Sequence, residues 1–290
     1  GGLVVLVPPS YPLEPKPSKA MLLILVAAIV GFVVPFAFVI LKEFLDASIR
    51  TPERAEKLTG LKLLGAYPNL NSTAVTKNVN FDWLHEKAAG LLAQNLRTEA
   101  RNRGVSLDKP KLALVFSTRS GDGKLLATHV LSNELVSLNY RVLVLGPKKF
   151  LEEETPFYDY VHYQNDKRFV NSENLTEIIP MGYDPTLYDY IFLIVDGVLT
   201  NPYPISLMEQ FPMSICVVGA FRNWNRADGS ALQDIEETLG HKPRLLLNGV
   251  EPDFMQNVLG DIEKSRSAIR RFFKKLLTLQ LRNPRMKSRG

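Results

Sequence analysis

A glycine-rich segment with one lysine is the part of the sequence best suited to chemistry. Residues 117–124 read Ser-Thr-Arg-Ser-Gly-Asp-Gly-Lys; they follow an apolar run and end where a helix is predicted to begin. In such a loop, successive backbone N–H groups and a helix N-terminus converge on an anion, and the lysine reaches its outer oxygens. The segment predicts a phosphate-binding loop. Its predicted nucleotide-binding residues are Ser120, Gly121, Asp122, Gly123 and Lys124.

The loop departs from the full phosphate-binding signature at two positions. A Ser or Thr normally follows the lysine and holds magnesium, but Leu125 stands there, and Thr118 replaces the first glycine. Because Gly-x-Gly-Lys is a weak pattern by itself, a plain turn between a strand and a helix is the competing interpretation. The order of strand, loop and helix favours a phosphate-binding loop. ATP or ADP is the expected ligand; no cofactor is required and no metal site is expected.

The elements around the loop follow an α/β pattern. Continuous apolar runs alternate with helical segments, which is typical of a parallel sheet covered on both faces. We predict an α/β fold with a doubly wound, mostly parallel sheet of the P-loop NTPase type over residues 111–258. The predicted strands are 111–117, 141–146, 190–197, 213–220 and 243–250, and the predicted helices are 124–138 and 229–239.

A long apolar segment near the start predicts a transmembrane helix. Residues 21–41 contain no charged side chain, and a helix of that length is about 30 Å long, the thickness of the hydrocarbon core of a bilayer. A buried helix of a soluble protein is the alternative, but Gly31 and Pro35 are tolerated better in a membrane span. The basic residues on either side weakly favour a cytoplasmic C-terminal side.

The segments flanking the span give the remaining domain boundaries. Residues 1–20 are proline-rich, and we expect them to be the end of an extracytoplasmic domain in a longer protein. Residues 42–110 are predicted to be a cytoplasmic linker region. It contains a helix restarted at Thr51-Pro52, a short strand at 61–70 and an amphipathic helix at 83–102.

The net charge is concentrated at one end of the chain. The whole sequence has 35 Lys and Arg against 30 Asp and Glu, a formal net charge of +5. Residues 261–290 contain ten basic and two acidic residues, which is +8, so the other 260 residues sum to −3. The composition excludes a disordered polyampholyte and, with one cysteine, a disulfide scaffold.

The basic tail, residues 259–290, combines an apolar side with a basic surround. This pattern is typical of a helix lying in an anionic membrane interface; a terminal helix packed on the domain is the equal alternative. Nucleic-acid binding is disfavoured because residues 21–41 anchor the chain in a bilayer. The predicted membrane contacts are Arg270, Arg271, Phe272, Phe273, Lys274 and Lys275.

Other reactive residue types give no site pattern. Cys216 lies in an apolar strand and is interpreted as a small buried hydrophobe. The histidines are scattered without ligand spacing, which disfavours a metal site. Residues 151–169 are acidic and aromatic, and a surface loop, a partner site and a phosphorylation target stay open for them.

Several segments taken together resemble a known family. The proline-rich stretch before the span, Glu-x-Leu-Asp-x-x-Ile at 43–49, Leu-Gly-x-x-Pro at 64–68, Leu-Arg-Thr at 96–98 and Leu-Asn-Gly-Val at 247–250 occur in its order. The chain resembles the C-terminal portion of bacterial polysaccharide co-polymerases fused to a P-loop tyrosine autokinase. The resemblance implies an inner-membrane protein of capsule or exopolysaccharide assembly, a ring-like homo-oligomer with Arg97 at its contacts, and other synthesis and export proteins as partners.

The departures from this family concern catalysis and oligomerisation. Two acids should end the strand at 142–145, but Gly146-Pro147-Lys148-Lys149 follows it. Asp196 fits the third motif only with an interval two residues too long. The oligomerisation signature has Leu91 and Gln94 where Glu and Arg are expected. No tyrosine follows Tyr203, although family kinases end in a tyrosine cluster that they phosphorylate.

Two functional hypotheses follow. The first is a pseudokinase, because metal-assisted phosphoryl transfer depends on the missing acids and hydroxyl. Its loop, with Lys148 and Lys149 nearby, would still hold a nucleotide or another anion. The second is an active autokinase in which Asp196 holds magnesium and a tyrosine within 158–163 is the acceptor.

Overall fold

The computed structural model describes residues 19–45, 48–69, 80–105, 110–147 and 156–260. The chain divides into two compact units, residues 1–47 and 48–290.

The first unit contains one long apolar helix. Helix α1 spans Ala20–Leu45 and includes Pro35. Its section Ala20–Leu41 is long and apolar enough to cross a membrane, and none of it is buried against the protein. This helix agrees with the predicted span at 21–41.

The second unit is built on a seven-stranded sheet in which every neighbouring pair of strands is parallel. The strand order is β1-β7-β6-β2-β5-β3-β4. The strands are β1 (Lys62–Pro68), β2 (Lys111–Phe116), β3 (Val142–Gly146), β4 (Asp159–His162), β5 (Tyr190–Ile194), β6 (Met213–Gly219) and β7 (Arg244–Val250).

Helices cover the sheet and complete the α/β fold predicted from the apolar runs. Strands β3 and β5 are buried along their whole length, as expected for strands in the interior of a parallel sheet. The helices of this unit are α2 (Pro52–Thr59), α3 (Phe81–Asn102), α4 (Lys124–Ser137), α5 (Lys167–Val170), α6 (Ile205–Met208), α7 (Arg226–Leu239) and α8 (Gln256–Leu259), with short 3₁₀ turns at Leu175–Glu177, Pro185–Leu187 and Pro252–Phe254.

The segment that the sequence assigns to a linker contributes to this sheet. Strand β1 pairs in parallel with β7, and α3 packs across β1 through buried Leu84, Leu92 and Leu96. The compact unit begins at Ser48. Residues 48–69 and 80–105 therefore belong to the same unit as the sheet, whereas the sequence pattern predicts that the α/β domain begins at residue 111.

One strand lies inside residues 151–169, the segment for which the sequence allows three interpretations. Strand β4 is only four residues long and pairs with β3 at the edge of the sheet. Its short length and mixed acidic and aromatic residues give no apolar run, which is the physical reason that the pattern did not reveal it.

Candidate phosphate-binding loop

The glycine-rich segment connects the C-terminal end of β2 to the first residue of α4. Gly121 and Gly123 adopt positive φ angles of 91° and 88°, which glycine adopts readily. Gly123 is also the N-cap of α4, and a Cβ atom there would collide with the Asn248 side chain. Because β2 lies between β6 and β5, the loop lies at the C-terminal edge of the central strands, where ligands of open α/β sheets bind.

The loop presents the donors that an anion requires. The backbone N–H groups of Gly121 and Gly123 have no hydrogen-bond partner among the described residues, and they stand at the N-terminus of a 14-residue helix. Lys124 is almost completely buried, and its Nζ donates to Ser117 Oγ at 2.8 Å. The five residues predicted to bind a nucleotide are thus consecutive in one loop.

Two residues far along the chain brace this loop. Asp228 on α7 is fully buried and accepts hydrogen bonds from Thr118 Oγ1 at 2.6 Å and from Arg119 Nε and Nη2, both at 3.0 Å. Arg222 donates to Asp228 Oδ1 at 2.8 Å and to Thr118 Oγ1 at 2.7 Å. Burial alone would raise the pKa of Asp228, but the bonds from Thr118, the Asn225 backbone, Arg119 and Arg222 hold its pKa at about 2.

The carboxylate of Asp122 contacts residues outside the loop. Its Oδ1 accepts from the Gly219 N–H at 3.2 Å and lies 2.9 Å from Arg222 Nε, in an ion pair without the alignment of a hydrogen bond. The Asp122 carbonyl oxygen accepts from Asn248 Nδ2 at 3.1 Å. Burial raises the pKa of Asp122, and the Arg222 guanidinium and the Gly219 N–H offset only part of that effect. Asp122 is thus a structural member of the loop.

Comparison with known proteins gives a fold and no sequence relative. No protein-family model matches the sequence, and no curated protein matches it. The kinase domain of the Escherichia coli tyrosine kinase ETK is similar in structure, with a TM-score of 0.54 and 12% identity over 70% of this chain and 94% of that chain. The chimerical protein CapA2B2 is similar with a TM-score of 0.50 and 15% identity over 69% of this chain and 100% of that chain. The chain has the fold of a bacterial tyrosine kinase domain.

Within this kinase fold, the positions expected to hold magnesium do not fit the metal. Leu125 supplies no hydroxyl, and Gly146 ends β3 where the resemblance implies an acid. A side chain at 146 would collide with the Tyr160 hydroxyl from the neighbouring strand β4. The aromatic ring therefore fills the space that an acid would need. In the described part of the chain there is no group of three or more metal-ligating side chains. Lys148 and Lys149, predicted to lie near the loop, are outside the described residues.

Asp196 lies beside the loop. It follows β5 directly, and the next residue, Gly197, approaches the Ser120 backbone so closely that an added Cβ atom would lie 2.5 Å from the Ser120 nitrogen. The following N–H groups, of Val198 and Leu199, donate to the Ser117 and Thr118 carbonyl oxygens at 3.1 Å each. Within the described part of the chain, the Asp196 carboxylate has no ion pair.

The tyrosines named as possible acceptors are poorly placed for that role. Tyr158 and Tyr163 are 7% and 6% exposed. The Tyr163 hydroxyl donates to the Ile194 carbonyl oxygen at 2.6 Å, and burial, with a smaller contribution from Asp196, raises its pKa. Tyr160 packs over Gly146. Phosphorylation of Tyr158 or Tyr163 would require this edge of the sheet to open.

Arg97 lies on the exposed side of α3, away from the loop. Its guanidinium stands over the Tyr140 ring, 5.6 Å from the ring centroid. Its predicted role in oligomerisation stays a prediction. The predicted membrane contacts Arg270, Arg271, Phe272, Phe273, Lys274 and Lys275 lie outside the described residues.

Cys216 and the histidines take structural positions. Cys216 is fully buried in β6, where burial raises the pKa of its thiol. His129 contacts the Tyr158 hydroxyl at 3.1 Å, and His241 contacts Ser214 Oγ at 3.0 Å.

No sequence pattern singles out Arg222 and Asp228, which brace the loop. Asp228 is 110 residues from Thr118 along the chain, so no local spacing links them. The one available signal was Asp228 as the third residue after Asn225, a capping-box spacing at the start of α7.

Proposed function

We propose that this chain is a membrane-anchored pseudokinase subunit of a bacterial system for exopolysaccharide or capsule assembly. The proposal combines the kinase fold, one apolar helix of spanning length and the family resemblance in the sequence. We further propose that the chain resides in the inner membrane with its second unit in the cytoplasm. Its proposed partners are further copies of the chain, in a ring with Arg97 at the contacts, and other synthesis and export proteins.

The observation that carries the pseudokinase proposal is the contrast between two sides of one site. The phosphate side is intact, with glycine amides, a helix N-terminus and Lys124 at one place. On the metal side two expected ligands are replaced, because Leu125 is apolar and Tyr160 fills the space over Gly146. Since phosphoryl transfer depends on metal ions that neutralise the moving phosphoryl group, this site is suited to holding a nucleotide and poorly suited to transferring its phosphate.

Binding and turnover measured on the same protein test this proposal. We expect the purified full chain in detergent to bind ADP with similar affinity in magnesium and in a chelator, and Lys124→Ala to weaken that binding at least about tenfold. Lys57→Ala, which removes a lysine from the exposed surface of α2, is the matched control and should leave it unchanged. Magnesium-dependent ATP hydrolysis or autophosphorylation that Lys124→Ala abolishes would refute the pseudokinase proposal.

An active autokinase is the second candidate. The carboxylate of Asp196, which lies beside the loop and has no ion pair among the described residues, is the observation in its favour. This candidate requires phosphotyrosine in the protein isolated from its host. Mass spectrometry of Tyr158, Tyr160 and Tyr163 in the wild type and in Lys124→Ala separates the two candidates, because only an active autokinase carries a modification that depends on Lys124.

A further inference from the structure

A basic groove lies at the end of the sheet opposite the glycine-rich loop. It has a volume of about 850 Å³. Strands β2 and β5 begin at this end, with Lys111 and Tyr190, and the C-terminal half of α3 runs past it. We call it the basal groove. The residues that matter here are Arg97, Arg101, Lys111, Tyr140, Asp189 and Tyr190.

Lys111 is the deepest charge in the basal groove. It is 9% exposed, and its ammonium nitrogen lies 5.1 Å from the centre of the Tyr190 ring. Lys111 has no carboxylate partner among the described residues. Burying an ammonium group without a counter-ion is unfavourable, and a ring face offsets only part of that cost. The side chain is therefore a buried cation that lines the cavity without an ion-pair partner in the described part of the chain.

Two arginines add further positive charge to the basal groove. Arg97 is held over the Tyr140 ring, and the Tyr140 and Tyr190 rings meet edge to face with centroids 5.4 Å apart. Arg101 lies one turn further along α3, exposed and without an ion pair in the described part of the chain. The tyrosine pair thus holds two cations at one wall of the groove, and Arg101 adds a third.

Nearby carboxylates do not neutralise these cations. Asp189 accepts a hydrogen bond from the Arg141 N–H at 2.8 Å, so one of its oxygens is committed to the backbone. Burial raises the pKa of Tyr190 to about 12, so its phenol is neutral at physiological pH. Glu99, also on α3, is bound to Arg103 at 2.5 Å and Arg244 at 2.6 Å. Arg103 and Arg244 are therefore paired with Glu99, whereas Arg97, Arg101 and Lys111 have no ion pair among the described residues.

We propose that the basal groove binds a phosphate group, carried by a small soluble ligand or by a lipid headgroup. Three cations around one cavity match the several oxygens and the double charge of a phosphate better than a single carboxylate. The groove is also within the size range of small-molecule sites. This site is separate from the glycine-rich loop and does not rest on the function proposed for that loop.

Pyrophosphate binding to the full chain tests the basal groove. The chain is reconstituted in nanodiscs of phosphatidylcholine, and calorimetry is carried out in a Lys124→Gln background so that the glycine-rich loop does not contribute. We expect Lys111→Gln and Arg101→Gln each to weaken pyrophosphate binding by about tenfold. Lys57→Gln, an exposed lysine on α2, removes the same charge elsewhere and should have no effect.

Arg101 is exposed, so Arg101→Gln keeps the test valid if Lys111→Gln does not fold. Equal affinity in the background protein and in both groove variants would overturn the proposal, as would the absence of binding in the background protein with both lipids.

Nanodiscs with added phosphatidylglycerol distinguish a lipid headgroup from a soluble ligand as the source of the phosphate. Weaker pyrophosphate binding there, dependent on Lys111, supports a lipid headgroup, and unchanged binding supports a soluble ligand. Loss of nucleotide binding at Lys124 with groove binding intact would refute only the function proposed for the loop.

Discussion

Five hydrogen bonds from four residues converge on the carboxylate of Asp228. The donors are Thr118, Arg119, Arg222 and the Asn225 backbone. Their convergence joins the glycine-rich loop to the N-terminus of α7. The loop conformation is thus fixed by a buried ionic network within the protein.

Removing the charge of Asp228 should destabilise the fold. We expect Asp228→Asn to lower the free energy of unfolding by about 3 kcal/mol, because Arg119 then lacks its counter-ion and Arg222 keeps only Asp122. Urea denaturation of the full chain in detergent at neutral pH measures this loss.

Asp122→Asn is the matched control, since it also removes a carboxylate beside Arg222. The buried Asp122 Oδ2 has no hydrogen-bond partner among the described residues, and burial raises the pKa of this carboxyl, so its charge is held less favourably than that of Asp228. We expect a smaller loss for Asp122→Asn. A larger loss there than for Asp228→Asn would contradict the assignment of the network's centre to Asp228.

The same carboxylate predicts part of the acid dependence of stability. The pKa of Asp228 is about 2 in the folded chain and about 3.9 in an unfolded one. Because the folded value is the lower, the ionised group stabilises the fold above about pH 3.9, and this contribution is lost as the pH falls through about 2. Urea denaturation between these limits should show a steeper loss for the wild type than for Asp228→Asn, and parallel curves would contradict this prediction.

The contact between Gly146 and Tyr160 predicts how a substitution at position 146 changes stability. Gly146→Ala should cost about 1–3 kcal/mol, because the new methyl group meets the Tyr160 hydroxyl. In a Tyr160→Ala background the same change should cost much less. Chemical denaturation of the four proteins gives the coupling, and equal costs in both backgrounds would show that the ring does not occupy this space.

At the scale of elements, the packing of α3 on β1 ties the N-terminal part of the second unit to the sheet. Gly65 on β1 lies directly under Leu92, and a Cβ atom there would be 2.5 Å from Leu92 Cδ2. Gly90 on the same helix has room, with Glu134 Oε1 3.7 Å from an added Cβ.

These two glycines should respond in opposite directions to the same substitution. We expect Gly65→Ala to destabilise the fold by about 1–3 kcal/mol through overpacking. Gly90→Ala should stabilise it by up to about 1 kcal/mol, because alanine favours helix. Thermal and chemical unfolding of both variants measures the pair, and equal losses would contradict the close packing of β1 under α3.

At the scale of the whole molecule, charge is separated along the chain. The terminal 30 residues carry a net charge of +8, while the rest of the chain sums to −3. A basic segment of this kind is attracted to anionic lipid, and the attraction is screened by salt.

The tail therefore predicts membrane binding by the second unit alone. A fragment of residues 48–290 should sediment with vesicles of phosphatidylcholine and phosphatidylglycerol, and less so as the salt concentration rises. A fragment of residues 48–260 should stay in solution. Equal sedimentation of the two fragments would rule out a membrane role for the tail.

Most of the fold could be predicted from local patterns in the sequence. The apolar runs at 111–117, 141–146, 190–197, 213–220 and 243–250 each correspond to a strand of the parallel sheet, with ends displaced by at most a few residues. The helices after the loop and before the last strand were also predicted. The strands can be predicted because burial on both faces of the sheet requires uninterrupted apolar side chains.

The candidate phosphate-binding loop could be recognised in the sequence alone, since its two glycines and its lysine lie within four residues of one another. Only the tertiary structure revealed β4 at the sheet edge, the Tyr160 ring over Gly146, the bracing of the loop by Arg222 and Asp228, and the cations of the basal groove. The physical reason is distance along the chain. A helix or a loop depends on neighbouring residues, whereas these contacts join residues that come together only when parallel strands assemble in an order unlike that of the sequence.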